Sequence, residues 1–243
     1  MFKIERFYEV DSTNDIAKQL AADGAPEGTV VISEIQRKGR GRREREWFSP
    51  KGGVWMSIIL RPKVSPSRAS SLTLVAGLAV AKTLSGLYNL KCKLKWPNDV
   101  LINEKKVCGV LTEISAEIDK INYVVAGIGI NANIDIGSFP GEFRDAATTL
   151  KNELNRDILR DELVKQLLEE LEKLYKIFQK QGFSKLKEEW KKSASTIGRK
   201  VRIITDSRTI EGIARDIGEN GELFVEAQEG IEKIISGDCI HLR

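Results

Sequence analysis

Histidine is nearly absent from this chain of 243 residues, which contains only His241. A single histidine argues against a Ser-His-Asp triad and against a histidine-based metal site. Cysteine is also scarce: Cys92, Cys108 and Cys239 include no C-x-x-C pair, and their odd number disfavours a disulfide framework or a zinc site. Their apolar, strand-like contexts predict plain core packing.

Long apolar runs and a strong charge imbalance are missing too. No apolar run reaches the roughly 18 residues that a membrane span needs. The N-terminus carries an early acidic residue and has no long apolar core, unlike a signal peptide. We therefore expect a cytoplasmic protein without a membrane partner. The net charge of +4, from 39 basic and 35 acidic residues, is too small to indicate a nucleic-acid binder by itself.

The apolar pattern predicts an α+β fold with helices on one face of a sheet, because few strand–helix–strand repeats occur. Strands are expected over residues 1–10, 29–32, 54–60, 92–96, 100–102, 106–114 and 123–130. Helices are expected from the capping cluster at 11–14 to residue 22, then over 72–87, 157–181 and 184–193. Residues 135–153 look irregular.

The pattern changes near residue 196, where short strands and tight turns begin. The Asn220-Gly221 pair is a strong hairpin signal. About 45 residues of short strands predict a small SH3-like barrel. We therefore divide the chain into a catalytic domain, residues 1–195, and a C-terminal domain, residues 196–243.

The segment from Gln36 to Trp47 combines two glycines with a dense run of arginine and lysine. Glycines leave backbone N–H groups approachable, and arginines add forked donors, so the loop suits a phosphate or a carboxylate. An RNA-contacting loop or a solvated surface stretch would have the same composition. It is not a Walker motif, because the G-x-x-x-x-G-K-[ST] spacing is missing.

Four further segments each allow a plain interpretation beside a chemical one. Lys95–Asp99 suits a turn, or the binding of Mg²⁺ or a triphosphate. Lys106 is either exposed or paired with an anion. Gly127–Asn131 lets a ligand approach the backbone but lacks the third glycine of a dinucleotide fingerprint. Ser12–Asn14 suits helix capping or the binding of a polar ligand.

In their order and spacing, these segments resemble the catalytic domain of biotin protein ligases over residues 7–134. The resemblance is carried by Ser12-Thr13-Asn14, Gln36 with Gly39-Arg40-Gly41-Arg42-Arg43, Trp47-Phe48-Ser49-Pro50, Lys95-Trp96-Pro97-Asn98-Asp99, Lys106 with Gly109-Val110-Leu111, and Gly127-Ile128-Gly129-Ile130-Asn131. It implies a mixed sheet flanked by helices, related to class II aminoacyl-tRNA synthetases. The C-terminal strands resemble the SH3-like domain of the same family.

The resemblance also implies a two-step reaction with ATP, biotin and Mg²⁺. Biotin would first react with ATP to give biotinyl-5′-AMP and pyrophosphate. A lysine of a biotin carboxyl carrier protein would then take the biotin and release AMP. Positive donors are needed because the first step brings two anions together.

By the same resemblance, Arg40 and Lys106 would be the catalytic residues that hold the biotin carboxylate and the α-phosphate. Biotin would be bound by Ser12, Thr13, Asn14, Gln36, Gly39, Arg40, Gly41, Arg42, Lys106, Gly109 and Gly129. ATP would be bound by Arg40, Arg42, Arg43, Trp47, Asn98, Asp99, Lys106 and Asn131. Asp99 would also face Mg²⁺.

The chain departs from the family pattern in two ways. Glu44 stands where the family loop commonly has glycine, which adds a negative charge. The catalytic pattern begins within about ten residues of Met1, so we expect the monofunctional type without a DNA-binding domain and no DNA partner. Homodimers are common in the family. A lipoate–protein ligase and an RNA-binding protein are the alternatives.

Overall fold

The computed structural model describes residues 2–242, which form two β-sheets. The larger sheet has seven strands in the order β1-β2-β3-β7-β6-β5-β4. Its strands are β1 (Lys3–Val10), β2 (Thr29–Gln36), β3 (Val54–Leu60), β4 (Cys92–Lys95), β5 (Asp99–Ile102), β6 (Lys105–Ala116) and β7 (Ile121–Ile130). Strands β1 and β2 are parallel and the other neighbours are antiparallel, so the expected mixed sheet is confirmed.

Helices lie on both faces of this sheet, so the expectation of one covered face was wrong. Helix α1 (Thr13–Ala22) packs on β2, β3 and β7 from one side. The longer helices α3 (Leu72–Tyr88) and α6 (Arg160–Gln181) cover the opposite side. Successive side chains of a strand point to opposite faces of the sheet, and in β3 the side chains on both faces are apolar and buried. Each face of the sheet therefore needs helices to cover it.

Helix α3 is the most apolar of the longer helices. Together with the short helix α2 (Pro66–Ala69) it forms a stretch, Pro66–Tyr88, that is long and apolar enough by composition to span a membrane, with a mean hydropathy of 1.4. The sequence predicted this helix over residues 72–87 but no unbroken apolar run of membrane-spanning length, because polar residues such as Ser71, Thr73 and Lys82 interrupt the stretch. In the fold 67% of the apolar part of this stretch is buried against the sheet and α6, so its place in the core accounts for its composition.

The connection from β7 to α6 is more ordered than expected. It contains the short helices α4 (Gly141–Arg144) and α5 (Leu150–Leu154), and α5 is capped by Thr149 Oγ1, which accepts from the N–H of Asn152. Asn133 further fixes the segment by bonding to both backbone groups of Ile158.

The C-terminal unit is a five-stranded antiparallel sheet in the order β11-β10-β9-β8-β12, which fits the expected SH3-like barrel. Its strands are β8 (Lys200–Ile204), β9 (Thr209–Ile217), β10 (Leu223–Ala227), β11 (Gly230–Ile234) and β12 (Asp238–His241). Helix α7 (Ser184–Ser193) precedes it, and Lys187 and Lys191 of α7 both contact Asp216 of β9.

The barrel is joined to the larger sheet through Trp96, which follows β4. The indole N–H of Trp96 donates to the carbonyl of Gly221, and its backbone N–H donates to Thr196 Oγ1. Trp96 is 2% exposed, so both bonds are shielded from water. The Lys95–Asp99 segment is thereby held rigidly between the two sheets.

Candidate active site

Three glycines on adjacent strands remove side chains from one patch of the larger sheet. Gly109 of β6 is paired with Gly129 of β7, and Gly127 lies two residues before Gly129. A Cβ on Gly129 would lie 2.4 Å from Trp47 Nε1, and one on Gly127 would lie 2.2 Å from Asn14 Oδ1. We call Gly109, Gly127 and Gly129 the glycine floor; without side chains there, other groups lie directly on the sheet.

A cavity of about 560 Å³ opens above the glycine floor. That volume suits a small-molecule site. It contains fourteen of the side chains or backbone positions predicted from the sequence, namely Ser12, Thr13, Asn14, Gln36, Arg40, Gly41, Arg42, Trp47, Asn98, Asp99, Lys106, Gly109, Gly129 and Asn131. Segments far apart in the chain therefore meet in one place.

Two predicted positions, Gly39 and Arg43, do not line the cavity. A Cβ on Gly39 would lie 2.4 Å from the carbonyl oxygen of Trp47 and 2.5 Å from Ser49 Oγ, so this glycine serves close packing of the loop. Arg43 points to the barrel, where it contacts Asp206 and Asp238. Binding of the ligands by Gly39 and Arg43 therefore stays a prediction.

Lys106 lies in the cavity between a carboxylate and an indole ring. Its Nζ is 2.6 Å from Asp99 Oδ1 and 4.9 Å from the centre of the Trp47 ring. The Lys106 side chain is 29% exposed, so its charge is partly withdrawn from water. An ammonium group so placed faces the interior, as an anion site requires.

Arg40 reaches the same cavity from the basic loop. Its two terminal nitrogens donate to both oxygens of Asp15, with Nη1–Oδ2 at 2.8 Å and Nη2–Oδ1 at 2.5 Å. This hydrogen bonding lowers the pKa of Asp15 to about 2. The pair is a fixed, forked contact of the kind that orients a guanidinium group.

The other arginines of the loop are bonded to the barrel. Arg42 donates to the carbonyl of Gly237 at 2.9 Å, and Arg45 joins Arg43 in contacting the Asp238 carboxylate. Because acidic or carbonyl partners within the chain already engage these groups, the loop presents few free cations to an RNA backbone. This arrangement disfavours the RNA-binding alternative.

The backbone of Arg43 and Glu44 is left-handed, with φ of 53° and 55°. Such a conformation costs a residue other than glycine about 1 kcal/mol. The position of Glu44 is therefore one where glycine would fit without strain. The Glu44 carboxylate is 86% exposed and lies 3.7 Å from Arg40 Nε.

The polar cluster at the start of α1 faces the cavity rather than capping the helix. Ser12 occupies the N-cap but makes no side-chain capping bond. Instead, Gln36 Oε1 accepts from both the N–H and the hydroxyl of Thr13, and Ser57 Oγ donates to Asn14 Oδ1. The capping interpretation was wrong because tertiary partners outcompete the local bond.

Three buried polar atoms in the cavity have no hydrogen-bond partner among residues 2–242: Asp99 Oδ1, the indole donor Trp47 Nε1 and the amide acceptor Asn131 Oδ1. Asp99 Oδ1 has the ammonium group of Lys106 as an ion partner 2.6 Å away, which leaves Trp47 Nε1 and Asn131 Oδ1. The Asn131 Nδ2 group is satisfied by the carbonyl of Thr148 at 3.0 Å. Buried orphans are rare in folded proteins, so both atoms point to a bound molecule.

The barrel contributes cavity residues that sequence reasoning missed. Asp238, Cys239 and His241 of β12 line it, together with Phe139 and Phe143 of the β7–α6 connection. Burial lowers the pKa of His241 to about 4 and raises that of Cys239 to about 12, so neither is charged at neutral pH. No local pattern marks these residues, since their place depends on how the barrel docks.

The chain was compared with known proteins. Residues 7–131 match the Biotin/lipoate A/B protein ligase family, and residues 196–242 match the Biotin protein ligase C terminal domain. The Bifunctional ligase/repressor BirA of Bacillus subtilis is 41% identical over 230 residues, which cover 94% of this chain and 71% of that protein. The Biotin--[acetyl-CoA-carboxylase] ligase of Paracoccus denitrificans is 30% identical over 231 residues, covering 92% of this chain and 94% of that protein.

Solved structures agree with these relatives. The biotin protein ligase from Aquifex aeolicus in complex with biotin and ATP superposes with a TM-score of 0.86 at 32% identity, covering 100% of both chains. With the glycine floor, the two cations above it and the barrel all in place, this chain belongs to the biotin/lipoate A/B protein ligase family.

Proposed function

We propose that this protein is an ATP-dependent biotin protein ligase. It adenylates biotin to biotinyl-5′-AMP and transfers biotin to a lysine of a biotin carboxyl carrier protein. The observation that carries this proposal is the single cavity that contains both Arg40 and Lys106 above the glycine floor. The names of the relatives and the ligands of the Aquifex aeolicus structure support biotin over lipoate.

The first step needs positive charge at the point where two anions meet. An oxygen of the biotin carboxylate attacks the α-phosphorus of ATP, and the bond to the pyrophosphate oxygen breaks. Lys106 and Arg40 reduce the repulsion on approach and stabilise the charge that develops on the phosphorus oxygens. The glycine floor lets the carboxylate come close to the sheet backbone, and the covering loop limits water.

The second step uses the same cations for the leaving group. The neutral amine of the carrier lysine attacks the carbonyl carbon of biotinyl-AMP and loses a proton, and the bond between that carbon and the phosphate oxygen breaks. AMP leaves with the electron pair, and Lys106 and Arg40 stabilise its phosphate. No protein nucleophile is required.

One of the orphaned polar atoms suits the nucleotide. Asn131 Oδ1 is an acceptor that the amino group of adenine would satisfy, and the Trp47 ring offers an apolar face in the same cavity. Binding would then remove an unfavourable buried acceptor, which favours ATP over a nucleotide without that amino group.

Magnesium fits this site only together with the phosphates of ATP. Among residues 2–242 no group of three or more His, Cys, Asp or Glu side chains is arranged for a metal. Asp99 supplies one carboxylate, with Asn98 beside it, and Mg²⁺ commonly binds through one or two carboxylates plus substrate phosphates. Bound there, the ion would offset phosphate charge.

The function is tested by incubating the protein with biotin, MgATP and a biotin-acceptor domain. The mass of that domain is then measured by mass spectrometry. We expect the mass gain of one biotinyl group. Calorimetric titration with biotin and with lipoate separates the two ligase types. Binding of lipoate alone would overturn the assignment.

Substituting Gly129 by alanine should close the glycine floor. The new Cβ would lie 2.4 Å from Trp47 Nε1, so the indole must move into the cavity. We expect biotin and ATP to bind about 100-fold more weakly, with the fold retained. Gly86→Ala is the control, because its Cβ meets nothing within 4 Å; equal binding by the two variants would contradict the role of the floor.

We also propose that the protein forms a homodimer through β1. This strand is the edge of the seven-stranded sheet and exposes Ile4 and Tyr8, at 40% and 65%. An exposed apolar edge strand tends to pair with another chain. Sedimentation equilibrium should give twice the monomer mass, and Tyr8→Glu should give a monomer; a monomeric parent protein would contradict the proposal.

A further inference from the structure

Arg40 differs from the three arginines that follow it in the loop in the direction of its side chain. Arg42, Arg43 and Arg45 contact the barrel, whereas Arg40 turns to the first turn of α1. The Arg40 side chain is 25% exposed and forms part of the cavity wall. Its partner Asp15 does not line the cavity, so Asp15 contacts the guanidinium group from outside the cavity.

Asp15 is itself held by a second ion pair. Lys18 lies one turn further along α1, and its Nζ is 3.0 Å from Asp15 Oδ1. The same ammonium group is 2.7 Å from Glu113 Oε1 on β6, and Glu113 Oε2 accepts from Asn14 Nδ2 at 2.7 Å. A chain of charges therefore ties Asp15 to both the helix and the sheet.

The contact with Asp15 leaves part of the Arg40 guanidinium group free. A guanidinium group has five N–H donors, and the fork to Asp15 uses two of them, one on each terminal nitrogen. The edge that carries Nε remains open. Only the exposed Glu44 carboxylate lies near it among the described residues, at 3.7 Å, a distance too long for a hydrogen bond.

We propose that Asp15 is the positioning residue for Arg40: it fixes one edge of the guanidinium group so that the free edge faces the reacting oxyanions. This rests on the proposed function and deepens it. Asp15 contacts no substrate and acts only through Arg40. In the bound state the substrate anion replaces Glu44 at the free edge, while Asp15 keeps its contact.

The benefit of such a partner is orientation. An arginine side chain on a mobile loop has many rotamers, and restricting it to one rotamer costs conformational entropy. If the side chain is already fixed before the substrate binds, this entropy is not lost during the reaction. The hydrogen bonds from Arg40 lower the pKa of Asp15 to about 2, so its carboxylate is charged throughout the neutral range.

The test is the rate at which preformed biotinyl-AMP leaves the protein, measured by rapid dilution into excess biotin. Asp15→Asn keeps the shape of the side chain and removes its charge. We expect release to accelerate about tenfold or more, because a misplaced cation holds the phosphate poorly. In an Arg40→Ala background the same substitution should change the rate less than about twofold.

The matched control is Asp161→Asn. Asp161 also lies in the first turn of a helix, α6, and also pairs with an arginine, Arg6, at 2.7 Å. It does not line the cavity, so its loss should leave release unchanged. Melting temperatures of both variants separate a folding defect from a positioning defect.

Two results would overturn the proposal. One is parental release by Asp15→Asn, and the other is an equal acceleration in the parent and in Arg40→Ala, because a purely structural effect would add to the loss of Arg40. Either can be seen only if the parent forms biotinyl-AMP. A parent that forms none would instead refute the proposed function.

Discussion

Replacing Lys106 by alanine should slow the formation of biotinyl-AMP about a thousandfold while leaving the fold intact. Removal of one well-placed donor from a site of developing negative charge commonly costs a factor of about 100 to 1,000, and this one carries a full charge. Lys106 Nζ has Asp99 as its ion partner, 2.6 Å away. The measurement is pyrophosphate release with biotin and ATP at saturation.

The chain supplies its own control for that experiment. Lys105 precedes Lys106 on β6 and is exposed, so Lys105→Ala removes the same charge from the surface instead of the cavity. We expect parental activity from it. Near-normal pyrophosphate release by Lys106→Ala would remove this residue from the reaction.

Replacing Arg40 by alanine should affect retention of the intermediate more than its formation. We expect biotinyl-AMP to dissociate about 100-fold faster, because a forked, partly buried guanidinium group holds phosphate more firmly than a solvated one. The observable is biotinylation of proteins that are not carriers, caused by adenylate released into solution.

The control for Arg40 is Arg37, on the same loop. Its side chain is 63% exposed and contacts Glu9 and Asp11 rather than the cavity. Arg37→Ala should retain the adenylate like the parent. If Arg40→Ala released biotinyl-AMP at the parental rate, the loop would retain the adenylate without this side chain.

The outline of this fold could be predicted from local patterns. The strand from Val54 to Leu60 and the helix from Leu72 follow from residue periodicity and length, and the structure confirms them. Most cavity residues could also be named, because they lie in short segments with unusual composition whose order resembles a known family.

Contacts between distant segments could not be predicted. Asp15 is an acid in the first turn of a helix, and no pattern in the neighbouring residues marks Arg40 as its partner. The direction of a side chain in the basic loop depends on where the barrel docks, as the contacts of Arg43 with Asp206 and Asp238 show. Helices on both sheet faces were missed although the continuous apolar run of β3 is typical of a strand that is buried on both faces.

The glycine floor limits how this protein can change its choice of substrate. Peptide groups form that surface, so Gly109 and Gly129 have no side chain whose size or charge a mutation could adjust. Any substitution there subtracts volume. New specificities must therefore arise in the side chains that line the cavity, such as Gln36, Phe143 and Asn131, while the base of the site stays as it is.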